Sequence, residues 1–166
     1  DVGPFAEVNN LKEADEVLKK LGYPKRKIVL KKRKATGSRG ILIADSSVNE
    51  YRPLLRDRFC GEGNFDSLTS KANKMGVDFS DYLAMPYYGN KTYDVDCLAM
   101  NGEVVQVIPR LRQYKNPLSP VNEGCKIDND TEVIKLVDEI CGLLNVHGSI
   151  DLDITLDKNG IPRVLD

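Results

Sequence analysis

The sequence predicts an α+β fold of mostly antiparallel sheets with helices on one side. Helical and alternating apolar patterns interleave along the 166 residues. Two Asn-Gly dipeptides, Asn101-Gly102 and Asn159-Gly160, each separate a pair of alternating segments. An Asn-Gly pair in that setting is the strongest short-range signal for a hairpin. Hairpins build antiparallel sheets, and amphipathic helices can cover one face of such sheets.

The first predicted element is a helix in the segment "NNLKEADEVLKKLGYP". Asn10 is a candidate N-cap with Glu13 three positions later, and Gly22 followed by Pro24 ends the pattern. The apolar residues recur at helical spacing: Leu11, Ala14, Val17, Leu18 and Leu21. The segment therefore predicts an amphipathic helix.

Two short strands, at residues 28–30 and 41–44, are predicted to form a hairpin with a long tip at 32–40. Residues 25–34 contain seven Lys or Arg in ten positions. The cations therefore concentrate at or near the tip of this hairpin.

Residues 47–80 are polar and predict irregular structure, with weak helical patterns at 48–59 and 65–74.

The later segments give clearer patterns. The segment "YDVDCLAMNGEVVQVIPRLR" predicts a hairpin turned by Asn101-Gly102. A helix is predicted at about 131–144 from apolar residues that recur on one face. The segment "SIDLDITLDKNGIPRVLD" predicts a final hairpin turned by Asn159-Gly160. On the strand before Asn101, Asp94 and Asp96 share one face, where Asp96 either contacts a substrate or pairs with a nearby lysine.

Composition limits the class of protein. Hydrophobic residues make up 41% of the chain, enough for one core or for two small lobes that share a hinge. The formal net charge is −1, unlike that of a general polyanion binder. No apolar run reaches the roughly 18 residues that a membrane span needs, and no signal or transit peptide is recognised at the start, so we predict a cytoplasmic location. The single histidine, His147, is expected to lie in a turn or to pack against its neighbours.

The four cysteines are far apart in sequence and form no CxxC motif. They are expected to be free, reduced thiols: Cys60, Cys97, Cys125 and Cys141.

The register of the final hairpin suggests a cation site but leaves two alternatives. If Asn159 and Gly160 are the two turn residues, Asp153 and Asp166 lie directly opposite each other, where like charges are destabilising and a divalent cation would compensate. If Asp157 instead starts a longer turn with a bulge, the register shifts by one and both acids face solvent.

The basic tip and the acid pair together suggest a metal–nucleotide site. The backbone N–H groups of a Gly-Ser-Arg-Gly tip can approach phosphate oxygens, and Lys31 and Arg39 add charge-assisted contacts. The tip matches neither the Walker A pattern nor GxGxxG.

Three segments in this order resemble the ATP-grasp enzymes, and among them the carbamoyl-phosphate-synthase-like carboxylate ligases. These are "LGYPKRKIVLKKRKATGSRGI", "LAMPYYGNKTYDVDCLAMNGEVVQVIPRLR" and "LLNVHGSIDLDITLDKNGIPRVLD". The resemblance implies an ATP-grasp fold with two α+β lobes and nucleotide between them. Residues 1–84 would be the small lobe with the phosphate-binding hairpin, and 85–166 the large lobe with the metal-binding hairpin. It also implies an N-terminal domain that this sequence lacks, and a continuation into Asn-Pro-Arg.

The resemblance implies roles for individual residues. Lys31 would reach an ATP phosphate, and a mobile flap would close over the phosphates: Gly37, Ser38, Arg39 and Gly40. The backbone of the hinge would meet adenine, with a ribose-binding position after it: Met85, Pro86, Tyr87, Tyr88 and Thr92. Asp153 and Asp166 would hold the metal. Arg110 and Arg112 would stabilise the transferred phosphoryl group or the substrate carboxylate.

The implied reaction is ATP- and Mg²⁺-dependent (or Mn²⁺-dependent) ligation, in which a small carboxylate becomes an acylphosphate and an amine or similar nucleophile displaces phosphate. A homodimer is a further expectation, and nucleic acid is not an expected partner. Three residues depart from the family pattern: Lys32 replaces the usual proline, and Pro86 and Thr92 replace acids. The departures predict weakened nucleotide affinity. The alternative function is a non-catalytic nucleotide- or RNA-binding module that uses the basic hairpin, whose polyanion binding would weaken steeply with salt.

Overall fold

The computed structural model describes residues 3–35, 40–54, 59–89, 91–113 and 124–165. The chain divides into a first unit, Pro4–Tyr87, and a second unit, Asp1–Gly3 with Tyr88–Asp166. Each unit has its own cluster of buried apolar side chains. The chain therefore builds two cores rather than one.

The described part of the first unit contains one six-stranded sheet and two helices. In chain order the elements are β1 (Ala6–Val8), α1 (Leu11–Lys20), β2 (Ile28–Lys32), β3 (Ile41–Ala44), β4 (Arg52–Pro53), β5 (Gly61–Gly63), α2 (Phe65–Lys74) and β6 (Tyr82–Pro86). The strand order is β1-β6-β2-β3-β5-β4, and only the β3–β5 pair is parallel. Alternate residues of the central strands pack with both helices in the core.

Within residues 88–89, 91–113 and 124–165, the second unit has one five-stranded antiparallel sheet and one helix. Its elements are β7 (Thr92–Met100), β8 (Glu103–Arg112), β9 (Cys125–Ile127), α3 (Thr131–Leu144), β10 (Gly148–Leu156) and β11 (Pro162–Val164). The strand order is β11-β10-β7-β8-β9. Tyr93, Val95 and Ile154 point to the face that packs against α3. The predicted α+β class with mostly antiparallel sheets is confirmed.

The helices begin where short polar side chains cap them. The Asn10 side chain accepts a hydrogen bond from the Glu13 backbone N–H at 3.0 Å, and Asp130 accepts from the N–H groups of Glu132 and Val133. Each cap satisfies backbone donors that have no partner inside the helix. The predicted helices at 65–74 and 131–144 match α2 and α3, and the first predicted helix matches α1.

The weak helix predicted at 48–59 is wrong. The described part of this segment contains β4, which pairs with β5 through Arg52 opposite Glu62 and Pro53 opposite Gly61. Pro53 lacks a backbone N–H and is compatible with β4 because this strand lies at the edge of the sheet. Residues 55–58 lie outside the described part of the chain.

Two of the three predicted hairpins are confirmed by the strand pairing. β2 and β3 pair from Ile28 opposite Ala44 to Lys31 opposite Ile41. Met100 lies opposite Glu103, so Asn101 and Gly102 form a two-residue turn. Both turn residues have positive φ, 52° and 85°, which is the requirement that selects Asn-Gly in such turns.

The final hairpin has the one-residue shift of the second alternative, but Asp153 does not face solvent, because its side chain is only 32% exposed and pairs with Arg112. Thr155 lies opposite Arg163, and the Leu165 N–H bonds to the Asp153 carbonyl. The direct opposition of Asp153 and Asp166 is therefore wrong, and Asp166 itself lies outside the described residues. The Asp157 carboxylate accepts from the N–H groups of Asn159 and Ile161 at 2.8 and 3.0 Å, which holds a three-residue loop rather than a two-residue turn.

Candidate functional site

Charged side chains occupy the face of the second sheet that points away from α3. We call it the charged face and define it by Asp94, Asp96, Arg110, Arg112, Asp151 and Asp153. Because side chains alternate along a strand, these residues share one face while their neighbours enter the core. The register places them in rows: Asp94 lies opposite both Arg110 and Asp153, and Asp96 lies opposite Asp151.

Arg112 joins two carboxylates from neighbouring strands. Its guanidinium donates to Asp94 on β7 and to Asp153 on β10. The side chains are only 14% exposed for Asp94 and 32% for Asp153. Two partly buried acids therefore share one cation, so the cluster carries an excess of negative charge.

The pKa values of the two acids move in opposite directions. Burial and the neighbouring Asp94 raise the pKa of Asp153 to about 6, although the Arg112 cation acts in the opposite sense. Burial also favours the neutral form of Asp94, but the hydrogen bonds and charge of Arg112 hold the pKa of Asp94 below its ordinary value. Asp153 is thus the acid of the pair that takes up a proton first as pH falls.

Arg110 forms a second cluster on the same face. Its Nε lies 2.8 Å from one oxygen of Asp96, and its Nη2 lies 3.0 Å from the other. The Asp151 carboxylate is farther away, at 3.9 Å. The partner of Asp96 is thus an arginine on β8 rather than the lysine considered from the sequence, and Asp151 is the more exposed acid of this cluster.

The donor chemistry of the charged face fits a hard divalent cation. Asp94 and Asp153 offer carboxylate oxygens with surplus charge, and Mg²⁺ is commonly held by one or two carboxylates together with substrate phosphates. Among residues 3–35, 40–54, 59–89, 91–113 and 124–165, no group of three or more His, Cys, Asp or Glu is arranged to hold a metal ion. The described carboxylates alone therefore provide a partial ligand set.

The predicted phosphate-binding residues begin on β2 of the first unit. Lys31 is half-buried and lies opposite Ile41 and Leu83. It alternates with Leu30, which belongs to the core, so Lys31 points to the face away from α1 and α2. Gly40 has a φ of 73° and donates its N–H to the Phe59 carbonyl at 2.9 Å. Gly37, Ser38 and Arg39 lie outside the described residues.

The predicted hinge begins at the end of β6. Met85 lies opposite Val29 on the same face as Lys31, whereas Pro86 is buried. The Tyr87 N–H bonds to the Lys27 carbonyl, and the Lys27 ammonium lies 5.9 Å from the centre of the Tyr87 ring. The boundary between the two units falls between Tyr87 and Tyr88.

Thr92, at the predicted ribose-binding position, is buried in the second unit. Its hydroxyl lies 3.3 Å from that of Thr155, the residue opposite it on β10. A shared hydroxyl hydrogen bond satisfies both groups inside the sheet. In this arrangement Thr92 serves the pairing of β7 with β10.

The structure brings together Arg110, Arg112 and Asp153 on one face of the second sheet, and Lys31 with Met85 on one face of the first. Sequence reasoning assigned no role to Asp94 or Asp151. The Asp-x-Asp spacing at 94–96 and at 151–153 was the available signal, because each pair must share a strand face. The pairing of β7 with β10 across more than 40 residues could not be read from that spacing.

The cysteines agree with the expectation of free thiols, since the structure describes all four as free. Cys97 and Cys141 are buried with their sulfurs 3.6 Å apart, and burial raises the pKa of Cys97 to about 11. No described helix is long and apolar enough to cross a membrane.

A family model described as "ATP-grasp in the biosynthetic pathway with Ter operon" matches residues 78–166, which is more than half of the chain. A search of curated proteins gave no significant match.

Three solved structures with the same fold are distant from this chain in sequence. An L-amino acid ligase from Bacillus licheniformis aligns over 100% of this chain and 35% of its own, with 18% identity and a TM-score of 0.57. N5-carboxyaminoimidazole synthetase from Staphylococcus aureus, in complex with ADP, aligns over 99% and 38%, with 12% identity and a TM-score of 0.60. D-alanine–D-alanine ligase from Bacillus anthracis, in complex with ATP, aligns over 100% and 48%, with 18% identity and a TM-score of 0.55. The chain thus spans about a third to a half of the length of these structures.

Proposed function

The chain belongs to the ATP-grasp family, and on that premise we propose that it is the ATP-binding portion of a Mg²⁺-dependent carboxylate ligase. The observation that carries the proposal is the charged face of the second sheet, where Arg112 joins Asp94 and Asp153. Within the family we assign it to the carbamoyl-phosphate-synthase-like ligases, a finer assignment that rests on the three sequence segments.

Two bonds change in the first proposed step. An oxygen of the substrate carboxylate attacks the γ-phosphorus of ATP, the bond from that phosphorus to the ADP oxygen breaks, and an acylphosphate forms. In the second step an amine nitrogen attacks the acyl carbon, the carbon–oxygen bond breaks, and phosphate leaves while the nitrogen loses a proton. Each step builds negative charge on phosphoryl oxygens, so positioned cations are the main requirement.

Arg112 and Arg110 supply those cations. Asp94 and Asp153 hold the Arg112 guanidinium from two strands, and Asp96 accepts a hydrogen bond from Nη2 of Arg110 and lies 2.8 Å from its Nε. A guanidinium fixed in this way reaches a phosphoryl group or a carboxylate with little loss of side-chain freedom. We therefore assign both arginines to the transferred phosphoryl group or to the substrate carboxylate.

The proposed metal ligands are Asp153 and Asp166. The ion would neutralise phosphate charge and orient the transferred group when bound. Asp94 lies opposite Asp153, and the two carboxylates share the single Arg112 guanidinium. This surplus of carboxylate charge supports the part of Asp153 in the ligand set.

The nucleotide itself is assigned to Lys31, the 37–40 tip and the Met85–Tyr88 backbone. We retain 1–84 as the small lobe and 85–166 as the large lobe in this proposal. Carboxylates already pair with part of the basic run, since Lys27 contacts Asp45 at 2.5 Å and Arg33 contacts Glu7 at 3.3 Å. That neutralisation favours a nucleotide over a long polyanion.

Nucleotide binding tests the first half of the proposal. Thermal melts with ATP and Mg²⁺ should show an upward shift in Tm that EDTA abolishes, because a ligand that binds the folded state stabilises it by about 2.7 kcal/mol at one hundred times its Kd. Asp153→Asn should lose the Mg²⁺-dependent part of the shift. A shift produced by poly(A) RNA that disappears with salt would favour the RNA-binding alternative.

Acylphosphate trapping tests the second half. Hydroxylamine converts an acylphosphate to a hydroxamate, so a panel of carboxylates can be screened with Mg-ATP before the amine is known. Hydroxamate that depends on ATP, on one class of carboxylate and on Arg112 would support the ligase assignment. ATP binding without hydroxamate from any member of the panel would count against it.

A further inference from the structure

A groove of about 410 Å³ opens on the second sheet beside the charged face. Its volume lies within the range of small-molecule sites. Six of its lining residues form two cross-strand rows: Asp96, Ile108 and Asp151 in one row, and Leu98, Gln106 and Ser149 in the next. The groove therefore has an acidic row and a row with an exposed apolar side chain.

The strand register fixes where each row lies relative to the two arginine clusters. The row that contains Asp94, Arg110 and Asp153 is directly adjacent to the acidic row on the same three strands. Rows two residues apart along a strand are about 7 Å apart. A molecule whose polar end sits at Asp151 would thus have that end next to the position proposed for phosphoryl transfer.

The charges on the lining residues indicate which charge a molecule bound in the groove should carry. The lining contains two carboxylates and no basic residue. Arg110, in the neighbouring row, donates to Asp96 at 3.0 Å, while the Asp151 side chain is 67% exposed and 3.9 Å from that guanidinium. An anion would meet net negative charge here, whereas a cation gains a contact with Asp151.

The apolar lining residues favour a bound molecule that carries an apolar group. Leu98 is 44% exposed although it lies in the middle of a sheet, and half-buried Ile108 lies in the adjacent row, opposite Asp96. Covering a leucine side chain contributes favourable burial that a purely polar ligand cannot use.

We propose that this groove binds the nucleophile of the ligation, a primary amine with an apolar substituent, as an ammonium ion held by Asp151 and packed on Leu98 and Ile108. The ammonium ion releases one proton to water to become the attacking amine, and the nitrogen loses its second proton when the amide forms. The proposal rests on the proposed ligase function, since it names the class of the second substrate. Asp151 is a binding residue in it, and Asp96 mainly fixes Arg110.

Three five-carbon probes separate the requirements for charge and for apolar contact. We would titrate the 166-residue chain with pentylammonium, pentanol and pentanoate and follow the backbone amide shifts of Leu98, Ser149 and Ile150 by NMR. Pentylammonium should bind at least tenfold more tightly than pentanoate and more tightly than pentanol. Pentanoate binding as tight as pentylammonium binding would overturn the proposal.

Two variants and one control assign the contacts. Asp151→Asn should weaken pentylammonium binding about threefold, the size expected for a charge pair with an exposed carboxylate, while Asp138→Asn, an exposed acid on α3, should leave it unchanged. Leu98→Ala should weaken pentylammonium at least threefold and leave methylammonium unchanged. Circular dichroism melts confirm that each variant is folded. An effect of Asp151→Asn below twofold would refute the contact.

The hydroxamate assay separates this proposal from the proposed function, because hydroxylamine replaces the amine. Pentylammonium binding through Asp151 without any hydroxamate would contradict the ligase assignment and leave the cation site standing. Hydroxamate formation without binding of pentylammonium would refute the groove and leave the ligase assignment intact.

Discussion

Replacing Asp153 by Asn should stabilise the protein in the absence of ligand. Asp153 and Asp94 share the Arg112 cation, and the pKa of Asp153 is raised to about 6 from its ordinary value of 3.8. A shift of about two units corresponds to about 3 kcal/mol. Because the side chain is 32% exposed, solvent screening reduces this to about 1–2 kcal/mol. The Asn oxygen can still accept a hydrogen bond from Arg112.

The sign of this effect depends on pH. A carboxyl group with a raised folded-state pKa is neutral in both states at low pH, so it costs nothing there. As pH rises from about 4 to 6, the unfolded chain loses the proton first and stability falls, and the full cost is present above about pH 6. Asp153→Asn should therefore gain stability at pH 7.5 and little at pH 4.

Urea denaturation of the wild type and the mutant at both pH values measures the difference directly, with EDTA present. Asp138→Asn, an exposed acid on α3, is the matched control and should change stability by less than about 0.5 kcal/mol. A mutant less stable than the wild type at pH 7.5 would refute the reasoning. So would a gain of equal size at pH 4 and pH 7.5, since it would not come from ionisation of Asp153.

Three further predictions test other parts of the molecule. Lys31→Ala should weaken ATP binding by about 1–3 kcal/mol, measured by calorimetry, with little change in Tm; equal affinity would remove Lys31 from the site. Asp45→Ala should lower the free energy of unfolding, measured by urea denaturation, by about 2–3 kcal/mol, because the buried carboxylate accepts from Ser47 and pairs with Lys27. These partners hold the pKa of Asp45 below its ordinary value, so the difference in stability from the wild type should shrink as pH falls through that lowered value. A difference that does not change with pH would contradict this account. Gly102→Val should cost about 1–2 kcal/mol, because its φ of 85° is strained for a β-branched residue, whereas Gly142→Ala inside α3 should not destabilise by a comparable amount.

Local signals in the sequence determined the helices and one hairpin. Asn10 with Glu13 fixed the start of α1, and Asn101-Gly102 fixed a turn that needs positive φ at two positions. These features depend on residues within about four positions of each other. A pattern of that range can be read without knowledge of the remaining chain.

Only the tertiary structure decided how the candidate site is assembled. Asp94 and Asp153 meet because β7 pairs with β10, and Arg112 reaches both from β8. The strand patterns fix which residues share a face, but many registers satisfy the same alternation. The register observed in the structure depends on packing against α3 and on the loops between the strands.

The final hairpin shows both contributions in one element. The sequence determined that a turn lies near Asn159-Gly160, because alternating segments flank it. The register was decided by the Asp157 carboxylate, which accepts two backbone N–H groups and contacts Arg163 at 3.2 Å. Those bonds hold a three-residue loop and place Leu165, rather than Asp166, opposite Asp153. A side chain that competes for backbone donors can thus move a register by one residue, which the strand pattern alone does not reveal.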